Sequence, residues 1–338
     1  MIIQKTNRLV MVNIKSKWDN QNPDGSLIIK TRIDEVNQFK CFAATNHITG
    51  NHIYIMEIAH LTLVPEFKNF KFKGLRIEVL DYSTYKEFNI FLLDNQLKDI
   101  FGLFIENIVE EISKCVTENE ALVETSNVVL KWKKLFDKIN FNGLSIEGQK
   151  GLIGELLFFN SLLEEEYSID ALLESWTGPD FNDKDFRFGS IGIEIKLTSS
   201  KVPKVNISSE RQLESDNLTK LYLVLYVVEE VKDKGFSLNS LVSQIRTKIN
   251  NYQKALKFFN ERLLLIGYFD DDFDNYTRQY AFRKRNFYSV INDFPKLVTS
   301  DLPNGVYETK YNIELSAIES FLVSDESILE FIKLWKED

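Results

Sequence analysis

The chain has 338 residues, 44% of them hydrophobic, which is comfortable for two domains and supplies enough apolar material for buried cores, so a disordered polymer is excluded. A net charge of −9 excludes a protein that grips nucleic acid with its whole surface, because backbone binding needs clustered Lys and Arg; it suits a subunit that meets a more basic partner. The three histidines, His47, His52 and His60, stand away from any Cys or Asp at ligand spacing, and neither G-x-x-x-x-G-K-[ST] nor G-x-G-x-x-G occurs, which leaves zinc-finger, triad-hydrolase and nucleotide-motor readings without residues.

Residues 1–95 read as a β-rich N-terminal module. Alternating runs at Ser26–Lys30, His52–Met56, Leu75–Val79 and Phe88–Leu93 are split by turn signals such as Asn22-Pro-Asp-Gly25. Residues 96–143 switch to helical spacing and read as a connector: Ile100, Leu103, Phe104, Ile108 and Ile112 form one stripe, and a second helix is expected near 119–138. Residues 144–270 form the core that carries chemistry, and 271–338 a C-terminal α/β extension packed on it. Within these, a helix is expected over 238–259, a strand over 263–269 and a final helix over 325–335. Two segments are locally basic, one with Arg278, Arg283, Lys284, Arg285 and Lys296, the other with Arg246, Lys248, Lys254, Lys257 and Arg262. Their plain reading is solvated surface. The longest apolar run, Leu221–Val228, is far short of a membrane span, and the start of the chain lacks the basic and apolar stretches of a secretory signal. With Cys41 and Cys115 far apart and read as free thiols, the chain reads as cytoplasmic.

The chemistry is concentrated in Ile191-Gly-Ile-Glu-Ile-Lys-Leu-Thr198. Strand alternation puts the aliphatic residues on one face and Glu194, Lys196 and Thr198 on the other. Lys184–Phe188 is also strand-like, and Gly189-Ser190 fits a two-residue hairpin turn. That turn pairs 188 with 191 and sets Asp185 across from Glu194, Cβ atoms about 5 Å apart. Two adjacent carboxylates repel unless a cation lies between them, and a divalent metal is the natural occupant. Lys196, on the same face, is placed to orient a metal-activated water and offset charge on a phosphate. Ser145 is a plausible N-cap for a helix from Ile146 to about Leu163, in which Gly148, Gly151 and Gly154 imply close packing against a neighbour. Glu155 follows the third glycine, either as a metal ligand, as an acceptor positioning Lys196 or a water, or as a solvated carboxylate.

Gly151-Leu-Ile-Gly-Glu-Leu156, Trp176-Thr-Gly-Pro179, Asp185-Phe186, Glu194-Ile-Lys196, Ile207-Ser-Ser209 with Gln212-Leu213, and Phe287-Tyr-Ser-Val290 with Phe294-Pro295 occur in one order. In these motifs the chain resembles the uncharacterised PD-(D/E)XK motif proteins, a family often encoded in bacterial restriction and anti-phage loci. The resemblance implies an α+β or α/β restriction-endonuclease-like core, a mixed β-sheet flanked by helices, within 144–270. It further implies Mg²⁺ as cofactor, with Mn²⁺ able to substitute, and DNA as substrate. Under it Glu155, Asp185, Glu194 and Lys196 are the catalytic set, with Asp185 and Glu194 holding the metal. Asp180, in the literal Pro179-Asp180, is the alternative first carboxylate, and Asp183 a loop contributor; the hairpin register favours Asp185. Gln212 and Thr198 are candidate substrate contacts, Gln212 equally a capping or packing residue. The expected activity is Mg²⁺-dependent DNA cleavage in a restriction or antiviral setting, as a homodimer or with other defence proteins and without a membrane. The alternatives are a catalytically silent scaffold subunit and an RNase with the same site.

Overall fold

A computed structural model describes residues 13–22, 25–36, 38–64, 74–138, 143–165, 167–180, 182–200, 204–291 and 293–334. Pro23 and Asp24 of the first turn signal, and Trp335 at the end of the expected last helix, lie outside the described residues. The chain divides into two units, Met1–Phe141 and Asn142–Asp338.

The first unit is a five-stranded antiparallel sheet of order β1-β2-β3-β5-β4, built from β1 (Ile28–Arg32), β2 (Lys40–Asn46), β3 (His52–Ala59), β4 (Leu75–Asp81) and β5 (Tyr85–Leu92). Helices α1 (Ile14–Asp19), α2 (Lys98–Ile112) and α3 (Glu118–Lys138) belong to the same unit. The apolar stripe of α2 is its buried face, with Ile100, Phe104, Ile108 and Ile112 all fully buried. Trp18 of α1 lies between His52 and Phe101, stacked on both rings at 5.0 and 5.2 Å. Cys41 is buried and Cys115 partly exposed, both as free thiols.

The second unit is centred on a mixed sheet of order β12-β10-β9-β7-β6, in which β7 (Ile191–Thr198) runs parallel to β9 (Lys220–Val231). The remaining neighbours, β6 (Phe186–Phe188), β10 (Gln279–Ser289) and β12 (Leu322–Val323), pair antiparallel. A separate two-stranded ribbon joins β8 (Lys204–Ile207) to β11 (Tyr311–Glu314). The unbroken apolar run of β9 predicts burial on both faces, and both are covered. Tyr222, Val224 and Tyr226 join a core shared with α4 (Ile146–Glu164), α5 (Ile169–Ser175), α6 (Leu238–Ile249), α7 (Gln253–Ile266) and α8 (Asp325–Leu334). Leu221, Leu223 and Leu225 join a second core with Val205, Ile207 and Ile313 of the ribbon.

Two expectations are corrected. The helix expected over 238–259 is broken at 250–252 into α6 and α7. The strand expected over 263–269 is instead the last turn of α7: Gly267 takes a φ of 95°, and the N–H groups of Gly267 and Tyr268 donate to the carbonyls of Leu264 and Leu263. A short aliphatic run carries no period of its own, and here the left-handed glycine decides it as a helix end. The basic segments are largely ion-paired. Arg278 and Arg283 reach Glu230 and Glu229 across the β9–β10 pair, Arg285 reaches Asp325, Arg246 reaches Asp270, and Lys248 reaches Glu164. Among the described residues no helix is long and apolar enough to cross a membrane.

Burial beside Trp18, followed by the positive charge of Lys98, pushes His52 down to about 4. An unfolded histidine titrates near 6.5, so the folded first unit resists a proton that the unfolded chain accepts. Its stability is complete above about pH 6.5 and declines as the pH falls toward 4. Melting temperatures between pH 7 and 5 are expected to fall more steeply for the wild type than for His52→Gln, at about 3–4 °C per kcal/mol lost in a unit of this size. Equal slopes would show that His52 is already solvated.

Candidate functional site

The hairpin forms in the expected register, Phe188↔Ile191, Arg187↔Gly192 and Phe186↔Ile193, and Gly189 takes the positive φ, 58°, that the two-residue turn requires. The pairing stops there. Asp185, expected directly across from Glu194, leaves the ladder because its carbonyl accepts the N–H groups of Thr177 and Gly178. Its side chain turns back onto the strand instead. With β6 ended at Phe186, the N–H of Ile195 has no ladder partner, and it donates to Asp185 Oδ2 at 2.6 Å. The site therefore sits at the free edge of β7, beyond the point where its neighbour ends.

Glu194 is 1% exposed, and Lys196 on the same face sits with its Nζ 2.9 Å from Glu194 Oε1. Among the described residues the Lys196 ammonium is the one positive group at Glu194 Oε1, which is otherwise a buried acceptor without a partner. The same ammonium donates to Gln212 Oε1 at 2.9 Å, and that oxygen also accepts from Ser208 N–H at 2.9 Å. Gln212 stands on the 3-10 turn Glu210–Leu213, which Ser209 caps. Its contact is thus with Lys196.

The third carboxylate comes from α4. Ser145 caps the helix by accepting from Gly148 N–H, as its sequence suggests. Of the three glycines only Gly154 meets a neighbouring element: a Cβ there would lie 3.1 Å from Ile195 Cγ2 and 3.4 Å from Leu197 Cβ. This close approach of α4 to β7 brings Glu155 to the strand edge. Gly148 faces its own N-cap. A Cβ at Gly151 would meet nothing within 4 Å, because that residue lines the open cleft, so the expected triple packing contact reduces to one. Trp176 Nε1–H donates to Glu155 Oε2 at 2.7 Å, and a Cβ at Gly178 would stand 2.9 Å from that same oxygen and 3.5 Å from Asp185 Oδ1.

Glu155, Asp185, Glu194, Lys196, Thr198 and Gln212 line one cleft of about 790 Å³. Its electrostatics follow from crowding. Burial and then the Asp185 carboxylate raise Glu194 to about 8, against the pull of Lys196. Burial, and then Asp185, hold Glu155 well above the carboxylate range; burial also raises Asp185, against Lys196 and the Ile195 N–H. Lys184, which no sequence pattern singles out, is buried beside them and donates to the carbonyl of Arg211 at 2.6 Å, tying the start of β6 to the turn that carries Gln212. Trp176 and Gly178 were visible in the sequence only as part of a motif. Asp183 is exposed, Thr198 is buried with its Oγ1 accepting from Ser200 N–H, and the side chain of Asp180 lies outside the described residues. Among the described residues no three His, Cys, Asp or Glu side chains group so as to hold a metal ion. A cation between Asp185 and Glu194 would complete its shell with water and substrate oxygens.

Crowding of this kind costs stability in the absence of a cation. Glu194→Gln keeps the shape and removes the charge, and it is expected to raise the melting temperature in chelator, by about 1–3 kcal/mol or 2–4 °C per kcal/mol. An unchanged or lowered melting temperature would mean that the pocket already solvates its carboxylates.

No curated protein and no solved structure matches the chain. Residues 14–316 match the family model DUF4420, described as "Putative PD-(D/E)XK family member", and the match spans both the first unit and the site. With its mixed sheet, flanking helices and Asp185…Glu194-x-Lys196 constellation, the chain belongs to this PD-(D/E)XK family, whose fold is restriction-endonuclease-like.

Proposed function

We propose that the protein hydrolyses phosphodiester bonds in DNA with the help of a divalent cation, Mg²⁺ or in its place Mn²⁺, held by Asp185 and Glu194. The observation that carries this reading is the buried Glu194 carboxylate, whose Oε1 meets only the Lys196 ammonium and lies beside a second carboxylate that raises its affinity for positive charge. Oxygen donors of this kind suit a hard cation that keeps part of its water shell. When bound, the ion supplies Lewis-acid polarisation of the phosphate and a lowered pKa for a water ligand.

The chain's own residues supply the rest. Lys196 is fixed by Gln212 Oε1 and by the charge of Glu194, so its ammonium orients the attacking water and offsets charge growing on the phosphate oxygens. Glu155, held by the Trp176 N–H, lines the same cleft and, once positive charge there returns its raised carboxyl to the ionised form, accepts a proton from that water. Gly178 leaves the space between Glu155 and Asp185 clear. Gln212 acts through Lys196 and is a positioning residue. Thr198 extends the polar face of β7 along the cleft as a substrate contact.

One observation favours a second reading, a catalytically silent scaffold subunit that binds partners: Arg246, Lys248, Arg278 and Arg283 of the basic segments are each paired with an acidic neighbour, which weakens their pull on a polyanion. The restriction or antiviral setting, a cytoplasmic location and a homodimer or other defence proteins as partners are part of the proposal, and an RNase with the same residues is the remaining alternative.

Purified protein incubated with supercoiled DNA, linear DNA and single-stranded RNA is expected to cut DNA in Mg²⁺ or Mn²⁺ and not in EDTA. Lys196→Ala should lose about 10²–10³-fold in rate, and Gln212→Ala about 10–100-fold. Cleavage that survives Glu194→Ala with Lys196→Ala would remove this site from consideration. Independently of turnover, saturating Mg²⁺ should raise the wild-type melting temperature, by about 2.7 kcal/mol at a hundredfold excess over its Kd, and leave Glu194→Ala unmoved. A shift of equal size in both proteins would place the ion elsewhere.

A further inference from the structure

We infer that the polar face of the β8–β11 ribbon reads base edges in the DNA that the cleft receives, with Asn206 and Asn312 as the reading pair and Lys204 as a phosphate contact. The inference rests on the phosphodiester reading and names where that site takes its sequence preference. Among the described residues the ribbon is a two-stranded unit that pairs with no strand of the second unit's five-stranded sheet. Its alternation is strict. Val205, Ile207 and Ile313 turn into the second core, so Lys204, Asn206 and Asn312 emerge on the opposite face, all exposed. These three residues line the same cleft as Glu194 and Lys196.

Asn206 and Asn312 are direct cross-strand partners, and Asn206 Nδ2–H donates to Asn312 Oδ1 at 3.2 Å. Each carboxamide carries one acceptor oxygen and two donor hydrogens. The mutual bond fixes both planes and leaves Asn206 Oδ1 as an acceptor, with one N–H on Asn206 and two on Asn312 as donors. An exposed amide pair adds little to stability, since water competes for every one of these bonds. It also carries no charge, so it contributes little to the general attraction for phosphates, which draws on Lys and Arg. What a fixed array of donors and acceptors offers is direction. The adenine N6–H and N7 edge is the usual match for an asparagine amide, and a duplex major groove, about 12 Å wide, admits a two-stranded ribbon. Lys204, two residues before Asn206 on the same face, is spaced for the adjoining backbone.

The test compares wild type, an Asn206→Ala/Asn312→Ala double variant and Lys204→Ala on a random-sequence duplex DNA library in Mg²⁺. Cut ends are sequenced, and affinity is followed by fluorescence anisotropy over a salt series. All three altered side chains are exposed, and unchanged melting temperatures would confirm intact folds. The wild type is expected to cut with a base preference near the cleaved bond. In the double variant that preference should fall by about 5- to 150-fold at the contacted position, with cutting retained. Lys204→Ala should weaken binding to all sequences alike and reduce the slope of log affinity against log salt by about 1. A double variant that keeps the wild-type preference, or a wild type that cuts with none, would overturn the inference and leave the nuclease reading standing. Uniform loss of binding in the double variant would assign the pair to the backbone and overturn it equally. A wild type that neither binds nor cuts any nucleic acid would take down the underlying reading, and this one with it.

Discussion

Three carboxyl groups, Glu155, Asp185 and Glu194, share one poorly solvated pocket, and the cost of charging them together is the constraint around which the second unit is arranged. Left to relax, such side chains would rotate toward water. Each is held instead by a group that cannot follow it: Asp185 by the Ile195 N–H, Glu155 by the Trp176 indole, and Glu194 by its burial on the sheet face with Lys196 alongside. The restraints belong to strands and to a fully buried tryptophan, so the crowding is met by retained protons, which is why all three carboxyls are raised.

The scaffold that resists it is stiff for ordinary reasons. β7 and β9 run side by side, and β9 is enclosed by a core on each face. A strand so enclosed cannot shift register without exposing a whole row of Leu or Val. Gly154 lets α4 approach β7 closely enough for the next residue, Glu155, to reach the strand edge, so a missing side chain sets the position of a catalytic candidate. Trp176 joins the two halves of this support, since its ring stacks among Phe159, Phe186 and Phe259 while its N–H restrains Glu155. Lys184 does a similar service on the other side, linking the start of β6 to the turn that presents Gln212.

What could be read in the sequence is what local rules determine. Gly189-Ser190 fixes a two-residue turn, the turn fixes the hairpin register, and the register places Glu194 and Lys196 on one face and Asp185 at the end of the facing strand. Ser145 as a cap and the doubly buried β9 follow in the same way. The misreadings are non-local. Asp185 leaves the ladder because the backbone of residues 177 and 178, brought in by Trp176, competes for its carbonyl. The arginines of β10 look like a basic surface until β9 places Glu229 and Glu230 beside them. Residues 263–266 are aliphatic enough for strand or helix, and only the tertiary setting of α7 and the cap at Gly267 separate the two. Lys184 has no local signature, because its partner carbonyl lies 27 residues away.

The charge balance of the chain takes on a specific meaning once these pairs are seen. Arginines and lysines paired with carboxylates cancel beyond roughly a Debye length, about 8 Å at physiological ionic strength, and so exert little pull on a distant polyanion. The deepest groups of the cleft are carboxyls, which offer a phosphate no attraction of their own. Under the phosphodiester reading, the same side chains change as an environment when they hold a divalent cation: without it the carboxyls retain protons and draw no phosphate, and with it the pocket attracts one. Cation and nucleic acid then strengthen each other's binding, and by linkage the effect is equal in both directions. Under that reading, the grip of an acidic protein with a crowded acidic pocket on its substrate depends on the cation more than that of a basic protein would.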